Sequence, residues 1–438
     1  MRLALAFVAL TAAAWAIPVF APERPAGPYL ALHFAMTAAM LHAWARGLDW
    51  RWALAAGLAA RLILLPLHPF TSNDIERYLW DGAVALQGLD PYRLPPDHPA
   101  LAALRALWPT PPEHAAFPTL YPPGALALFA LCALAGPEFA PWVWKTLVTL
   151  AGSATVLLLA GHLRATGQPQ RLPLVALSPL LLLEAGVGGH LDALTALSLA
   201  GGLVAFQRNR PGLAGLALGA GAALKLLPLA ALGPLLIAAA WPGRLRLLAG
   251  AVAVLAAAYG GALALGLAPI GALPVFFETW RNAAPLFILL ERALPAPWLQ
   301  LTLGAVALGL LAASALLARR HTSAAVGLAL AAPLAASPVA FPWYLCVFAP
   351  VVARAPSAAL LAWMSLAPLT YEVLDGFKSA GVWAPADWPL WAILAGVLAG
   401  AAFDLRAAAR SRAGQTPPMP RDPAGTRAAP APPGPPAP

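Results

Sequence analysis

Apolar runs of about twenty residues recur along nearly the whole chain, from 1–20 through to 388–403, and each is long enough to cross a hydrocarbon core of about 30 Å. In lipid every backbone amide must be satisfied inside a helix or a closed barrel, and runs of this length select helices. Composition agrees. Hydrophobic residues make up 61% of the chain and charged residues 10%, and the mean hydropathy is +0.73, which excludes an ordinary soluble domain. The expected fold class is an all-α polytopic membrane protein of about 12–14 transmembrane helices, with Gly and Pro blurring the count. Arg2 ahead of the first run gives it the look of a signal peptide. No small-x-small cleavage site stands out before Pro18, so it is read as a retained helix.

The net charge of +9 follows topology rather than a nucleic-acid partner. Arg46, Arg51, Arg164, Arg171, Arg208, Arg210, Arg244, Arg246, Arg319, Arg320, Arg406, Arg410 and Arg412 flank helix ends so that alternate loops are basic, the positive-inside pattern. With a cytoplasmic N-terminus, three crossings put the 68–120 loop outside. Most acidic residues fall on the same side, among them Asp74, Glu76, Asp81, Asp90, Asp97, Glu113, Asp192, Glu278, Glu291, Glu372, Asp375 and Asp387. One conflict arises if both 123–135 and 142–161 cross, because Arg164 and Arg171 would then lie outside. The first of these has only about thirteen residues and opens on Tyr121-Pro122-Pro123, so it is read as re-entrant or partly inserted.

Cys132 and Cys346 stand singly in apolar runs, without metal spacing, and are read as core residues. The expected organisation is a membrane domain over 1–404 and a basic, Pro-rich, disordered cytoplasmic tail over 405–438, whose last twenty-five residues hold ten prolines.

The 68–120 connection is far longer than usual, and loops of that length tend to carry function. Its opening, HPFTSNDIERYLWDGAVALQGLDPYRLPP, predicts a helix over Asp74–Gln87, started by an Asn73/Glu76 capping box and ended at Gly88. Asp74, Arg77, Tyr78 and Asp81 share one face, with Ile75, Leu79 and Leu86 opposite, which suits a helix at the membrane surface with Tyr78 and Trp80 at headgroup depth. Asp74 sits in the first turn, where free amides and the helix dipole favour a carboxylate that can act as general base. The plain alternative is an amphipathic surface helix with an Arg77–Asp81 pair worth a few tenths of a kcal/mol.

Polar residues elsewhere return to this side. The 184–192 turn carries Glu184, His190 and Asp192. Lys225 interrupts an apolar hairpin, either as a site residue or as a lysine that snorkels to the interface. Arg281, in Phe277-Glu278-Thr279-Trp280-Arg281-Asn282, is either a phosphate ligand or an interfacial anchor. The turn from Ser337 to Tyr344, containing Trp343, suits a lipid chain, a sugar face or a simple aromatic belt. Arg61, mid-helix, must face the protein interior, where a phosphate or a carboxylate is a candidate partner.

Taken in order, SNDIERYLWDGAVALQGLDPYR, TLYPPGALALFAL, EAGVGGHLDAL, GAALKLLPL, TWRNAAPLF and FPWYL resemble the bacterial polyprenol-phosphate-mannose-dependent mannosyltransferases of the glycosyltransferase C superfamily, over about residues 50–375. The resemblance implies a multi-helix membrane fold with a large extracytoplasmic first catalytic loop and a sugar donor carried on a polyprenyl phosphate. No P-loop or Rossmann glycine fingerprint is present, which fits a donor that is not a nucleotide. The sequence departs from the family pattern in Ser72-Asn73-Asp74 for Ser-Asp-Asp, Gly189-His190-Leu191-Asp192 for Gly-His-Asn-Asp, and Phe341-Pro342-Trp343 for His-Pro-Trp. The first change leaves Asp74 alone to match the catalytic acid and argues against a two-carboxylate metal site.

Inverting transfer to a cell-envelope glycan or glycolipid is therefore expected, with Asp74 as base. Lys225, Arg281, Arg61 and Arg77 are the candidates for the donor phosphate, and Arg77 is equally a structural partner of Asp81. His190, Asp192, Asp81, Tyr121 and Trp343 are the candidates for sugar or acceptor. No certain cofactor follows, and a divalent cation stays open. The expected partners are the lipid-linked sugar, the acceptor and membrane lipids. The expected setting is the bacterial cytoplasmic membrane with both termini inside. A lipid-linked sugar flippase or transporter would share the broken helices and intramembrane charge, but no internal repeat is evident and the polar residues gather on one face.

Overall fold

The computed structural model describes residues 1–16, 26–69, 71–110 and 115–413. The fold is all helical, and among the described residues the only extended pairing is an isolated bridge between Asn282 and Val339. Among the described residues four helices are long and apolar enough to cross a membrane unaided, Gly136–Ala165, Trp241–Ala264, Ala296–Leu317 and Trp388–Arg410. The other apolar runs form shorter helices such as Arg2–Trp15, Asp192–Gln207, Pro211–Leu224 and Thr322–Ala336. Proline and charge divide them. The run after Pro211 stops at Lys225, whose backbone is extended (φ −160°, ψ 130°), and resumes as Leu232–Ala238. The run from Thr322 gives way at Ser337, and Pro342–Phe348 continues as a 3₁₀ segment. Helix breaks at membrane depth are tolerated where they face protein or a cavity.

Gly136–Ala165 is the central helix, with 56% of its apolar window buried, whereas Ala296–Leu317 and Trp388–Arg410 are peripheral at 17% and 11%. Leu308, Leu316, Trp391 and Phe403 on the peripheral helices are exposed, as a lipid-facing surface requires. Because lipid is as apolar as leucine, such helices are held together by close packing rather than by the hydrophobic effect.

The Pro123–Ala133 helix has 11 residues, about 16 Å at 1.5 Å per residue, roughly half a hydrocarbon core. Pro123, Ala125, Leu126, Phe129, Cys132 and Ala133 on it are buried, while Leu131 is exposed. Arg164 lies over the Trp50 ring at 4.3 Å, with Arg51 on the same ring at 5.3 Å. The two arginines share one end of the molecule.

Two expectations need correcting. The loop helix forms as Asp74–Leu86, but it is not a surface helix: Ile75 and Leu79 on one side and Arg77, Tyr78 and Asp81 on the other are all buried, and Trp80 is 0% exposed. A Cβ at Gly82 would lie 2.4 Å from the Phe129 carbonyl carbon and oxygen, so the glycine permits a contact between this helix and Pro123–Ala133 that removes its apolar side from lipid. The Asn73 side-chain half of the expected capping box also does not form. The Asn73 side chain makes no cap bond, and the Asp74 amide donates instead to Ser72 Oγ at 3.1 Å. The last helix runs to Ala413, into the stretch read as tail from residue 405. Residues 414–438, Glu113 and the end of the first apolar run lie outside the described residues. Cys132 and Cys346 are buried free thiols.

Candidate active site

The helix breaks converge on one cavity of about 1450 Å³, walled by the head of the loop helix, the 117–122 stretch of the loop, Lys225, the 269–282 segment and the 333–344 break. Asp74, Arg77, Tyr78, Tyr121, Lys225, Arg281, Trp343 and Tyr344 all line it. Residues spread over some 270 positions of sequence meet here because each sits where a helix starts, stops or unwinds.

Asp74 occupies the first turn of its helix and is partly accessible from the cavity. Tyr78, one turn on, donates its hydroxyl to Asp74 Oδ2 at 3.1 Å. The Tyr78 ring stacks on Phe129 and meets Tyr121 and Trp144 edge-on, so that donor is rigidly placed. Burial, with the Asp74 charge as the second cause, holds the Tyr121 phenol well above its ordinary pKa. The phenol is a neutral donor at physiological pH.

Lys225 is a cation on the cavity wall. Its ammonium donates to both Asp192 oxygens at 2.8 and 3.1 Å and lies 3.3 Å from the centre of the Tyr344 ring. Arg281 is half-buried at the rim, paired through Nε with Glu291 at 2.8 Å and set over Phe287. Arg77 donates to Asp81 at 2.9 Å and to the Phe117 carbonyl at 2.7 Å, which ties the returning loop to the helix. Burial raises the Asp81 carboxyl, while Arg77 and Thr119 pull it back down.

Several expected site residues lie behind the wall rather than on it. His190, Asp192 and Asp81 are at most 1% exposed and are not part of the cavity lining, so a direct contact with sugar does not match their positions. Asp192 and Asp81 pair with Lys225 and Arg77, which do reach it, and His190 lies 3.3 Å from Asp74. Arg61 stands apart altogether, donating from Nη1 to the Gly57 and Ala176 carbonyls at 2.8 and 3.0 Å. Its pairing with a phosphate or a carboxylate is not what the fold provides. Trp343 lines the cavity, but its ring is stacked between Phe341 at 4.4 Å and His190 at 3.9 Å.

Glu184 was marked only as a polar residue of the 184–192 turn with no role, and Lys145 was not marked at all. Glu184, 1% exposed, accepts hydroxyl hydrogens from Tyr29 and Tyr371. Lys145 on the central helix donates to the Leu67 carbonyl at the start of the loop. Each is a single ionisable side chain in an apolar run, and that was the available signal. Among the described residues no group of three His, Cys, Asp or Glu side chains is arranged to hold a metal ion.

An all-helical, multi-pass body with a polar-headed, largely apolar cavity belongs to the class of polytopic membrane glycosyltransferases. Residues 119–342 match the family model described as Glycosyltransferase family 87, a family of the glycosyltransferase C type, and the chain belongs to that family. The match spans Tyr121, His190, Asp192, Lys225 and Arg281, and it begins beyond Asp74. No curated protein and no solved structure matches the chain.

Proposed function

We propose that this glycosyltransferase moves a sugar, mannose by resemblance, from a polyprenyl-phosphate carrier to a cell-envelope glycan or glycolipid on the extracytoplasmic side of a bacterial cytoplasmic membrane, with both termini in the cytoplasm. The observation that carries the reading is the placing of Asp74, in a helix first turn and held by Tyr78, on the wall of a cavity otherwise dominated by aromatic and aliphatic side chains. An apolar cavity of this size suits a lipid-borne donor better than a soluble nucleotide sugar.

The reaction is a single displacement with inversion. The acceptor hydroxyl loses its proton to Asp74 as its oxygen attacks the anomeric carbon. The bond from that carbon to the phosphate oxygen breaks with its electron pair, and polyprenyl phosphate leaves. The leaving group gains one negative charge, and Lys225 on the cavity wall and Arg281 at its rim are the candidates to stabilise it. Arg77 serves the architecture of the site through Asp81 and Phe117. Tyr121 and Trp343 are candidates for sugar contacts.

The test is release of polyprenyl phosphate by purified protein given a panel of polyprenyl-phosphate sugars and cell-envelope acceptors. Wild type should turn over with one sugar, and Asp74→Asn should lose roughly a hundredfold to ten-thousandfold. Full turnover in a folded Asp74→Asn protein would remove the proposed base. Lipid binding without release for every donor would favour a flippase.

A further inference from the structure

Behind Asp74 lies a side-chain chain that no substrate group needs to touch. His190 Nδ1 is 3.3 Å from Asp74 Oδ2, and His190 Nε2 is 3.3 Å from Glu184 Oε2. The other Glu184 oxygen accepts from Tyr371 at 2.7 Å and Tyr29 at 3.0 Å. The imidazole plane is set by stacking on Trp343, the two rings 7° from parallel, and by Gly188 beneath it, where a Cβ would come within 2.7 Å of the ring. Trp144 Nε1 anchors the turn by donating to the Gly189 carbonyl at 2.6 Å. With its plane fixed, the ring can act only through its two in-plane nitrogens, and each faces a carboxylate.

Resting on the assignment of Asp74 as base, we propose that Glu184 is a positioning residue. It fixes the orientation and proton placement of His190, and through that ring it holds Asp74 in the rotamer that accepts the acceptor's proton. An imidazole nitrogen is either a donor or an acceptor. Glu184, held by two tyrosines, calls for a donor at Nε2, and the Asp74 carboxylate calls for a donor at Nδ1, so the ring serves both carboxylates only by donating from both nitrogens. Carboxylate–histidine pairs of this kind orient the group that does the chemistry without contacting substrate. The two 3.3 Å approaches lack hydrogen-bond alignment, as expected of a site that tightens when substrate binds.

The test is a double-mutant cycle on purified full-length protein, with Glu184→Gln, His190→Gln, their combination and Asp74→Asn all assayed for polyprenyl phosphate release. Glu184→Gln keeps the size of the side chain and a carbonyl for the two tyrosines. It should lower kcat about tenfold to a hundredfold, with KM for donor and acceptor within about twofold, as loss of a purely transition-state contribution requires. In the His190→Gln background the same change should add little, because its effect passes through the ring. Tyr371→Phe gives a second route if Glu184→Gln fails to fold. It should lower kcat severalfold and be silent when His190 is Gln. Wild-type kcat in folded Glu184→Gln, or equal losses in both backgrounds, would overturn the inference while an inactive Asp74→Asn left the base assignment standing. Turnover in Asp74→Asn would overturn the base assignment itself.

Discussion

Lys225→Met separates what the ammonium does for the fold from what it does for the donor. At 2.8 Å from Asp192 Oδ1, two unit charges in an effective dielectric of about 20 attract by about 6 kcal/mol. Most of that attraction offsets the desolvation of two charges, so the pair as a whole adds little to stability. Removing only the lysine is different, because Asp192 is 0% exposed and would keep a buried charge with no cation beside it. The expected cost is about 3–5 kcal/mol, read as a large drop in melting temperature of the detergent-solubilised protein. Adding Asp192→Asn removes the stranded charge and should recover most of that stability. Polyprenyl phosphate release should stay low in the double variant, since nothing replaces the cation at the leaving group. A Lys225→Met protein that melts with wild type would refute the burial argument. Restored turnover in the stable double variant would refute the role of Lys225 at the phosphate.

Two further outcomes follow from the loop helix. Arg77→Met should destabilise the protein by about 3 kcal/mol at neutral pH by leaving Asp81 buried without its partner, and the loss should depend on pH. Burial already raises the Asp81 carboxyl in the fold, and removing Arg77 raises it further. A raised folded value gives stability that is present below the unfolded value near 4 and is lost as pH rises. The variant should therefore melt higher at pH 5 than at pH 8, and a larger deficit at pH 5 would contradict this. Gly82→Ala must push the Phe129 backbone away. It should cost about 1–3 kcal/mol from overpacking, less up to about 1 kcal/mol from better helix propensity. It should also lower turnover by shifting Asp74, and unchanged melting and turnover would show that the two helices can separate freely.

The sequence alone determined the fold class, because apolar length and the basic loops are properties of local composition that water and lipid read directly. It also located the loop helix to within a residue and singled out Asp74, Lys225 and Arg281, which the fold brings to the wall of one cavity. It placed Trp80 and the loop helix at the surface, since amphipathic spacing reports two faces but not what covers them. A glycine contact at Phe129 decides that, and it depends on a segment some fifty residues away. The same holds for the site. Asp74, Glu184 and His190 are each visible as costly polar residues in apolar surroundings. That His190 stands between the two carboxylates behind the cavity wall, and that Arg61 spends its Nη1 donors on backbone carbonyls of two helices, follows from packing between distant helices, and only tertiary structure decided it.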